Sequence, residues 1–195
     1  MLPTLQEEEK LDPRVKRTRQ LLEQAFMEVL AEKGFQAISV QDITAKAGVN
    51  RATFYAHFED KYALLDHSIR QGFRQEIEKR MLNACHYSVE NLQALIIAVC
   101  EFVGNAGSHC APSSQLDSLM ETQVKAQLQD LLQNWIEKAG SNADPKTTAT
   151  AASWAIYGLA QQWSRDKKHP PVEKFAEQVL PLISANLRLM KKNTA

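Results

Sequence analysis

The sequence lacks a charge surplus, a cysteine framework, a membrane-length apolar run and any sustained alternation of apolar and polar residues. Its 23 lysines and arginines are balanced by 23 aspartates and glutamates. A nucleic-acid partner would therefore have to be met by a local basic patch, because there is no global positive field. The three cysteines, Cys85, Cys100 and Cys110, are odd in number and form no CxxC spacing. That argues against a disulfide framework and for a reducing compartment. The opening residues, MLPTLQEEEK, are acidic where a secretory leader needs a basic start and an apolar run. The most apolar window, Leu92 to Val103, contains Gln93 and Glu101 and is too short to span a bilayer. These absences lead to the expectation of a cytoplasmic protein with no membrane partner. There is also no nucleophile elbow, no phosphate-cradling glycine loop and no HExxH, so no catalytic residue, metal ligand set or cofactor is assigned.

What is present is helical spacing, almost everywhere. Leu21, Leu22, Ala25, Phe26, Val29 and Leu30 recur on one helical face, and Gly34 follows in the position of a left-handed cap. Ser39 with Asp42 three residues on has the form of a capping box, opening a short helix that closes at Gly48. Asn50 caps a third short helix running to about His57 or Phe58. Asp60 is placed to cap a longer one that ends near Ala84. Further helices are expected at Val89 to Asn105, Ser114 to Ala139 with a possible break near Met120, Thr147 to Asp166, and Val172 to Leu189. Pro181 falls inside the last and should kink it. Breakers separate these segments, notably Pro112, Gly140-Ser141-Asn142, Asp144-Pro145 and Pro170-Pro171. The fold class is all-α, with about nine helices.

One stretch, GVNRATFYAHFEDK from Gly48 to Lys61, mixes hydrogen-bond donors with aromatic rings. Two short helices joined by a glycine turn form a helix-turn-helix, whose second helix enters the DNA major groove. Here the first would be Val40 to Ala47 and the second Arg51 to His57. Ile43, Ala47, Val49, Phe54 and Phe58 supply the apolar lock between them. Asn50, Arg51, Thr53, Tyr55 and His57 would face outward as donors, suited to phosphates and base edges. Lys10, Arg14, Lys16, Arg17 and Arg19, against only Asp12, make the local patch that grips the sugar-phosphate backbone. Lys61 and the first amides of the fourth helix offer a second phosphate site.

The segment RTRQLLEQAFMEVLAEKGFQAISVQDITAKAGVNRATFYAHFEDKYALL resembles the DNA-binding domain of the TetR family of transcriptional regulators over about Arg14 to Ile69. The resemblance rests on ordered, spaced motifs: a first helix ending in KGF, the SVQDI helix start, AGV, then TFYAHF followed by DK. It implies a homodimeric, all-helical repressor with a ligand-controlled C-terminal domain, bound to a palindromic double-stranded operator and released by an unknown small-molecule effector. It also implies that Ser39 and Gln41 touch DNA, that Asn50, Arg51, Ala52 and Thr53 meet base edges, and that Tyr55, His57 and Lys61 meet phosphate. Thr44 and Tyr62 depart from the family pattern, where an alanine and a glutamate are frequent. The corresponding division is a tail over 1–12, a helix-turn-helix domain over 13–59 (its family-type extent reaching about 73), and an effector-binding and dimerisation domain over 60–195.

In that C-terminal part, Thr147 to Asp166 is apolar on most sides, and the last helix carries an apolar stripe including Phe175, Val179 and Ile183. Two such helices suit a four-helix bundle formed with a second copy, or simply the chain's own core. On the dimer reading, small Ala151, Ala155 and Gly158 permit close approach. Phe102, Met120, Trp135, Trp154, Tyr157 and Trp163 form an aromatic, soft set that could line an effector pocket, and core packing explains them equally well. Cys85-His86 and His109-Cys110 are separated pairs, which a zinc site does not favour. The rival readings are an effector-independent architectural DNA-binding protein and a thiol- or metal-responsive sensor.

Overall fold

A computed structural model describes residues 12–80, 86–109, 114–140 and 144–187, and the side chains of these except 106–115. Among the described residues there are eight α-helices, one 3-10 turn and no strand. Helix α1 spans Pro13–Lys33 and starts as its sequence dictates. Pro13 needs no amide partner at the first helical position, and the Asp12 carboxylate accepts the Arg14 amide at 2.7 Å. Gly34 ends it at φ 73°, ψ 152°. The positive φ was expected, but the extended ψ turns the chain out of the left-handed helical region and into a 3-10 turn over Phe35–Ala37.

Helix α2, Val40–Ala47, carries a complete capping box. Ser39 Oγ accepts the Asp42 amide at 3.2 Å, and Asp42 Oδ2 accepts the Ser39 amide at 2.9 Å. Gly48 then takes φ 66°, ψ 29°, the left-handed conformation open to glycine at little cost. Helix α3 covers only Arg51–Tyr55, followed by a turn through Ala56 and His57, so it is shorter than its sequence spacing suggests. Helix α4, Lys61–Arg80, opens where Asp60 Oδ1 accepts the amides of Tyr62 and Ala63. Its expected continuation to Ala84 lies outside the described residues.

The remaining helices are α5 (Val89–His109), α6 (Ser114–Ala139), α7 (Pro145–Arg165) and α8 (Val172–Leu187). Helix α6 is continuous through Met120, since no breaker interrupts its sequence. Helix α7 begins two residues early because Pro145 takes the first position and Asp144 accepts the Thr147 amide at 2.7 Å. Pro181 is accommodated within α8 on an exposed position.

Two apolar cores result. The first joins α1, α2, α3 and the start of α4 around Leu22, Phe26, Ile43, Phe54, Phe58 and Leu64, each no more than 2% exposed. The second fills the bundle of α4 to α8 around Phe73, Leu95, Leu128, Trp135, Ile156 and Ile183. Helix α4 packs on α1 at one end and on α5 and α6 farther along, and Ile69 touches both cores. The smaller N-terminal unit is called the head below, and the larger bundle the body. Among the described residues no helix is long and apolar enough to cross a membrane.

Candidate DNA-reading face and head–body cavity

The head is held as one piece by contacts chosen at specific positions. Lys33 Nζ pairs with Asp42 Oδ1 at 2.6 Å, and Lys46 Nζ reaches Glu28 and Glu32, each at 3.1 Å. These tie α2 onto α1. The Lys33 ammonium and the Ser39 donors together hold the Asp42 carboxyl well below the usual carboxylate range. Buried His67 on α4 places Nε2 2.5 Å from Glu23 Oε1 on α1, with Phe58 packed on its ring at 5.3 Å. This second clamp carried no motif and was not visible in the sequence.

Helix α3 stands on that platform. Phe54 is fully buried, and its ring and that of Tyr55 stand nearly perpendicular at a centroid distance of 5.5 Å. Arg51, Ala52 and Tyr55 are exposed, as is Gln41 on α2. Asn50 caps the helix: its Oδ1 accepts the Thr53 amide at 2.7 Å and the Thr53 hydroxyl at 3.0 Å. The Asn50 carbonyl oxygen is thereby occupied, and its amide NH2 is the group that remains to reach outward. His57 is half-buried, and burial followed by the Arg19 charge lowers its pKa. Arg14 and Arg17 are exposed near the start of α1, while Lys16 is half-buried.

Two residues expected at DNA are otherwise engaged. Ser39 Oγ donates to Asp42 Oδ2 at 2.6 Å while accepting the Asp42 amide, so its one proton is used inside the capping box. Lys61 Nζ lies 3.1, 3.4 and 2.8 Å from the carbonyl oxygens of Phe35, Gln36 and Ile38, and 4.8 Å above the Phe35 ring. Its three donors close the 3-10 turn, and the amides behind it belong to Asp60. In this arrangement the Lys61 ammonium braces the turn that precedes α2.

The expected effector set separates. Phe102 and Met120 line a cavity of about 230 Å³ between α1, α4, α5 and α6, whose wall includes none of the other four. Trp135 is a core side chain at 1% exposure, with Tyr87 against it. Tyr157 is buried too, and its hydroxyl has no hydrogen-bond partner; burial first, then the Glu121 and Asp117 charges, pushes its pKa up to about 12. Trp154 is 62% exposed under the Lys125 ammonium at 4.4 Å. Trp163 Nε1 donates to the Pro170 carbonyl at 2.9 Å and pins the α7–α8 connection. Met27, Leu30, Leu65, Ile69, Gly72 and Leu116 supply most of the remaining wall. Gly72 was the available signal: a Cβ there would meet the Phe102 ring at 3.2 Å, so the glycine lets that ring lie against α4.

Of the expected dimer positions, Val179 at 6% and Ile183 at 1% exposure belong to the chain's own core. Phe175 is half-buried against Trp163. Ala151 and Gly158 are exposed on α7, in line with Trp154 and the half-buried Ala155. On α8 the large exposed apolar side chain is Leu182, at 62%. Cys100 is buried, which pushes its thiol up to about 12. Cys85 and Cys110 lie outside the described residues. Among the described residues no group of three potential metal ligands occurs.

Two short helices joined at Gly48 on a buried platform have the helix-turn-helix arrangement, in which the second helix is the one that enters the DNA major groove. The sequence model described as bacterial regulatory proteins, tetR family, matches residues 21–67, which are the head. The head is thus similar to the DNA-binding domain of the TetR family of bacterial transcriptional regulators. It is 42% identical over 74 residues to the uncharacterized HTH-type transcriptional regulator YxbF of Bacillus subtilis, covering 37% of this chain and 20% of that one. It is 29% identical over 122 residues to the HTH-type transcriptional repressor DhaR of a Mycobacterium species, covering 61% of this chain and 62% of the relative. The chain thus matches less than two thirds of the length of either relative. In fold it is similar to a TetR-family regulator from Streptomyces coelicolor, with a TM-score of 0.63 at 16% identity, over 90% of this chain and 97% of the other.

Proposed function

We propose that the protein is a sequence-specific repressor that reads a palindromic operator as a homodimer and leaves it when a small molecule binds in the body. The observation that carries the reading is the face of α3, where Arg51, Ala52 and Tyr55 are exposed while Phe54 is fully buried beneath them. A side chain that reads a base must be held in register, and a helix anchored by a buried aromatic provides that. On this reading Asn50, Arg51, Ala52 and Thr53 meet base edges, and Gln41, Tyr55 and His57 lie beside them at the backbone. Arg14, Lys16 and Arg17 add phosphate contacts along α1. Residues 13–59 act as the reading unit and 60–195 as the regulated one.

The dimer follows from the body's exposed apolar line. Ala151, Trp154, Ala155 and Gly158 recur at helical spacing on α7, and Leu182 projects from α8. A second copy would bury this line by two-fold packing of four helices. Two linked short readers gain affinity that neither has alone. The cavity beside α1 and α4 is the site at which a ligand can favour one placement of the head over another, and DNA affinity then changes by the same coupling energy. Support for repression comes from the relative described as a repressor.

The test is selection of bound DNA from a random-sequence pool at moderate salt. The expected product is a palindromic consensus with half-sites about one helical turn apart. A pool without a motif would overturn sequence-specific reading in favour of architectural binding.

A further inference from the structure

The cavity between head and body has a chemical polarity that restricts its ligand, and the restriction rests on the ligand-controlled reading above. Its inner wall is apolar: Met27 from the head, Leu65 and Ile69 from α4, and Phe102 and Met120 from the body. Ser68 is also in the wall, but its hydroxyl donates to the Leu64 carbonyl at 2.9 Å and so is turned onto its own helix. Two lining residues, Asn105 and Asp117, are polar, and both are exposed at the rim. Among the described residues no lysine, arginine or histidine lines the cavity.

An apolar cavity with a carboxylate at its mouth selects by charge. A phosphate, sulfate or carboxylate ligand would bring its anion towards Asp117 with no lining cation to receive it. A positive or neutral donor group gains a hydrogen bond there instead, and charge assistance strengthens it. The interior also selects by shape. Gly72 lets the Phe102 ring approach α4 closely, and Phe73 on the same helix packs tilted against that ring at a centroid distance of 5.2 Å. A fixed ring wall of this kind favours a planar partner over a flexible chain. A volume of about 230 Å³ suits a compact molecule.

We infer that the effector is a compact, ring-bearing molecule, uncharged or singly cationic, seated between Met27, Phe102 and Met120 with its polar end at Asn105 and Asp117. Because Met27 belongs to the head and Phe102 and Met120 to the body, the occupant touches both units. It therefore binds best at one spacing of head and body, and biases the protein towards that spacing.

Three matched probes test this by calorimetric titration of the full chain: 2-naphthylmethylammonium, 2-naphthylmethanol and 2-naphthoate. The ammonium should bind tightest, about fivefold tighter than the alcohol once solvent screening at the rim is allowed for. The naphthoate should bind weakest. Asp117→Asn should erase the advantage of the ammonium over the alcohol, and Ser68→Phe, which fills the cavity, should weaken all three at least tenfold. Should Ser68→Phe fail to fold, Met120→Trp fills the same space from the opposite wall. Equal or tighter binding of naphthoate, unchanged affinities in a folded filled variant, or no saturable binding of any probe would each overturn the proposal. Release of selected DNA is scored separately. Probes that bind in the expected order without shifting DNA affinity would leave the site standing and sink ligand control; DNA release that survives cavity filling would do the reverse.

Discussion

The head and the body solve the same packing problem with different materials. In the head, polar side chains fix the ends and crossings of short helices: Ser39 with Asp42, Asn50 with Thr53, Asp60 with two amides, Lys61 with three carbonyls, His67 with Glu23. In the body, long helices are held by apolar area, through Leu95, Leu128, Trp135 and Ile156, and the buried Tyr157 hydroxyl has no hydrogen-bond partner. Hydrogen bonds are directional and apolar burial is not. The head is accordingly a rigid part whose outer face holds one geometry. The body, on the proposed function, is the part that accepts a ligand and a partner by adjusting packing.

The largest effect should come from breaking the head's core while leaving the body alone. Phe54→Ala removes a fully buried ring, at a cost of about 3–5 kcal/mol. Urea unfolding followed by circular dichroism should then show an early transition for the head ahead of the body, with DNA binding lost. A single transition at the original midpoint would mean that the two cores are not the separate units described. Next in size is the exposed line on α7. Trp154→Glu should weaken dimerisation about a hundredfold, the scale of an aromatic interface anchor, read by sedimentation equilibrium with head stability unchanged. An unaltered assembly would remove α7 from the interface.

A smaller effect separates polar from apolar fixing by pH. The folded-state pKa of Asp42 is depressed, so the stability it contributes is present above its unfolded value of ~3.9 and is lost as pH falls below that. Asp42→Asn should lower the head's melting midpoint by roughly 2–5 °C at pH 7, and the gap from wild type should narrow steadily as pH falls below about 4. A gap that persisted in acid would assign the role of Asp42 to packing.

The head was legible in the sequence because its determinants are local. Ser39-x-x-Asp42, the glycine at 48 and Asn50 each act within four residues, so their spacing reveals their geometry. Even there, the fate of the Ser39 proton and the Lys61 ammonium was hidden. Lys61 is closed by carbonyls 23 to 26 residues away, a distance that no short pattern reports. In the body the helices were readable from apolar periodicity and breakers, but the roles of the aromatics were not. Periodicity says that Trp135, Trp154, Tyr157 and Trp163 lie on helices. It does not say which side faces the core, a cavity or solvent, least of all on α7, which carries three of the four and has apolar residues all round. Val179 and Ile183 were likewise drawn into the chain's own core by α5 and α7, which pack on α8.

The most direct test of the central claim, that α3 reads bases while α1 grips the backbone, compares Arg51→Ala with Arg17→Ala on the selected operator and on a panel of single-base variants of it. Arg51→Ala should flatten discrimination at one position of each half-site by about 1–3 kcal/mol. Arg17→Ala should weaken every sequence by a similar factor and reduce the salt dependence by about one phosphate contact. Equal losses across the whole panel for Arg51→Ala, with no position relaxed, would contradict the account.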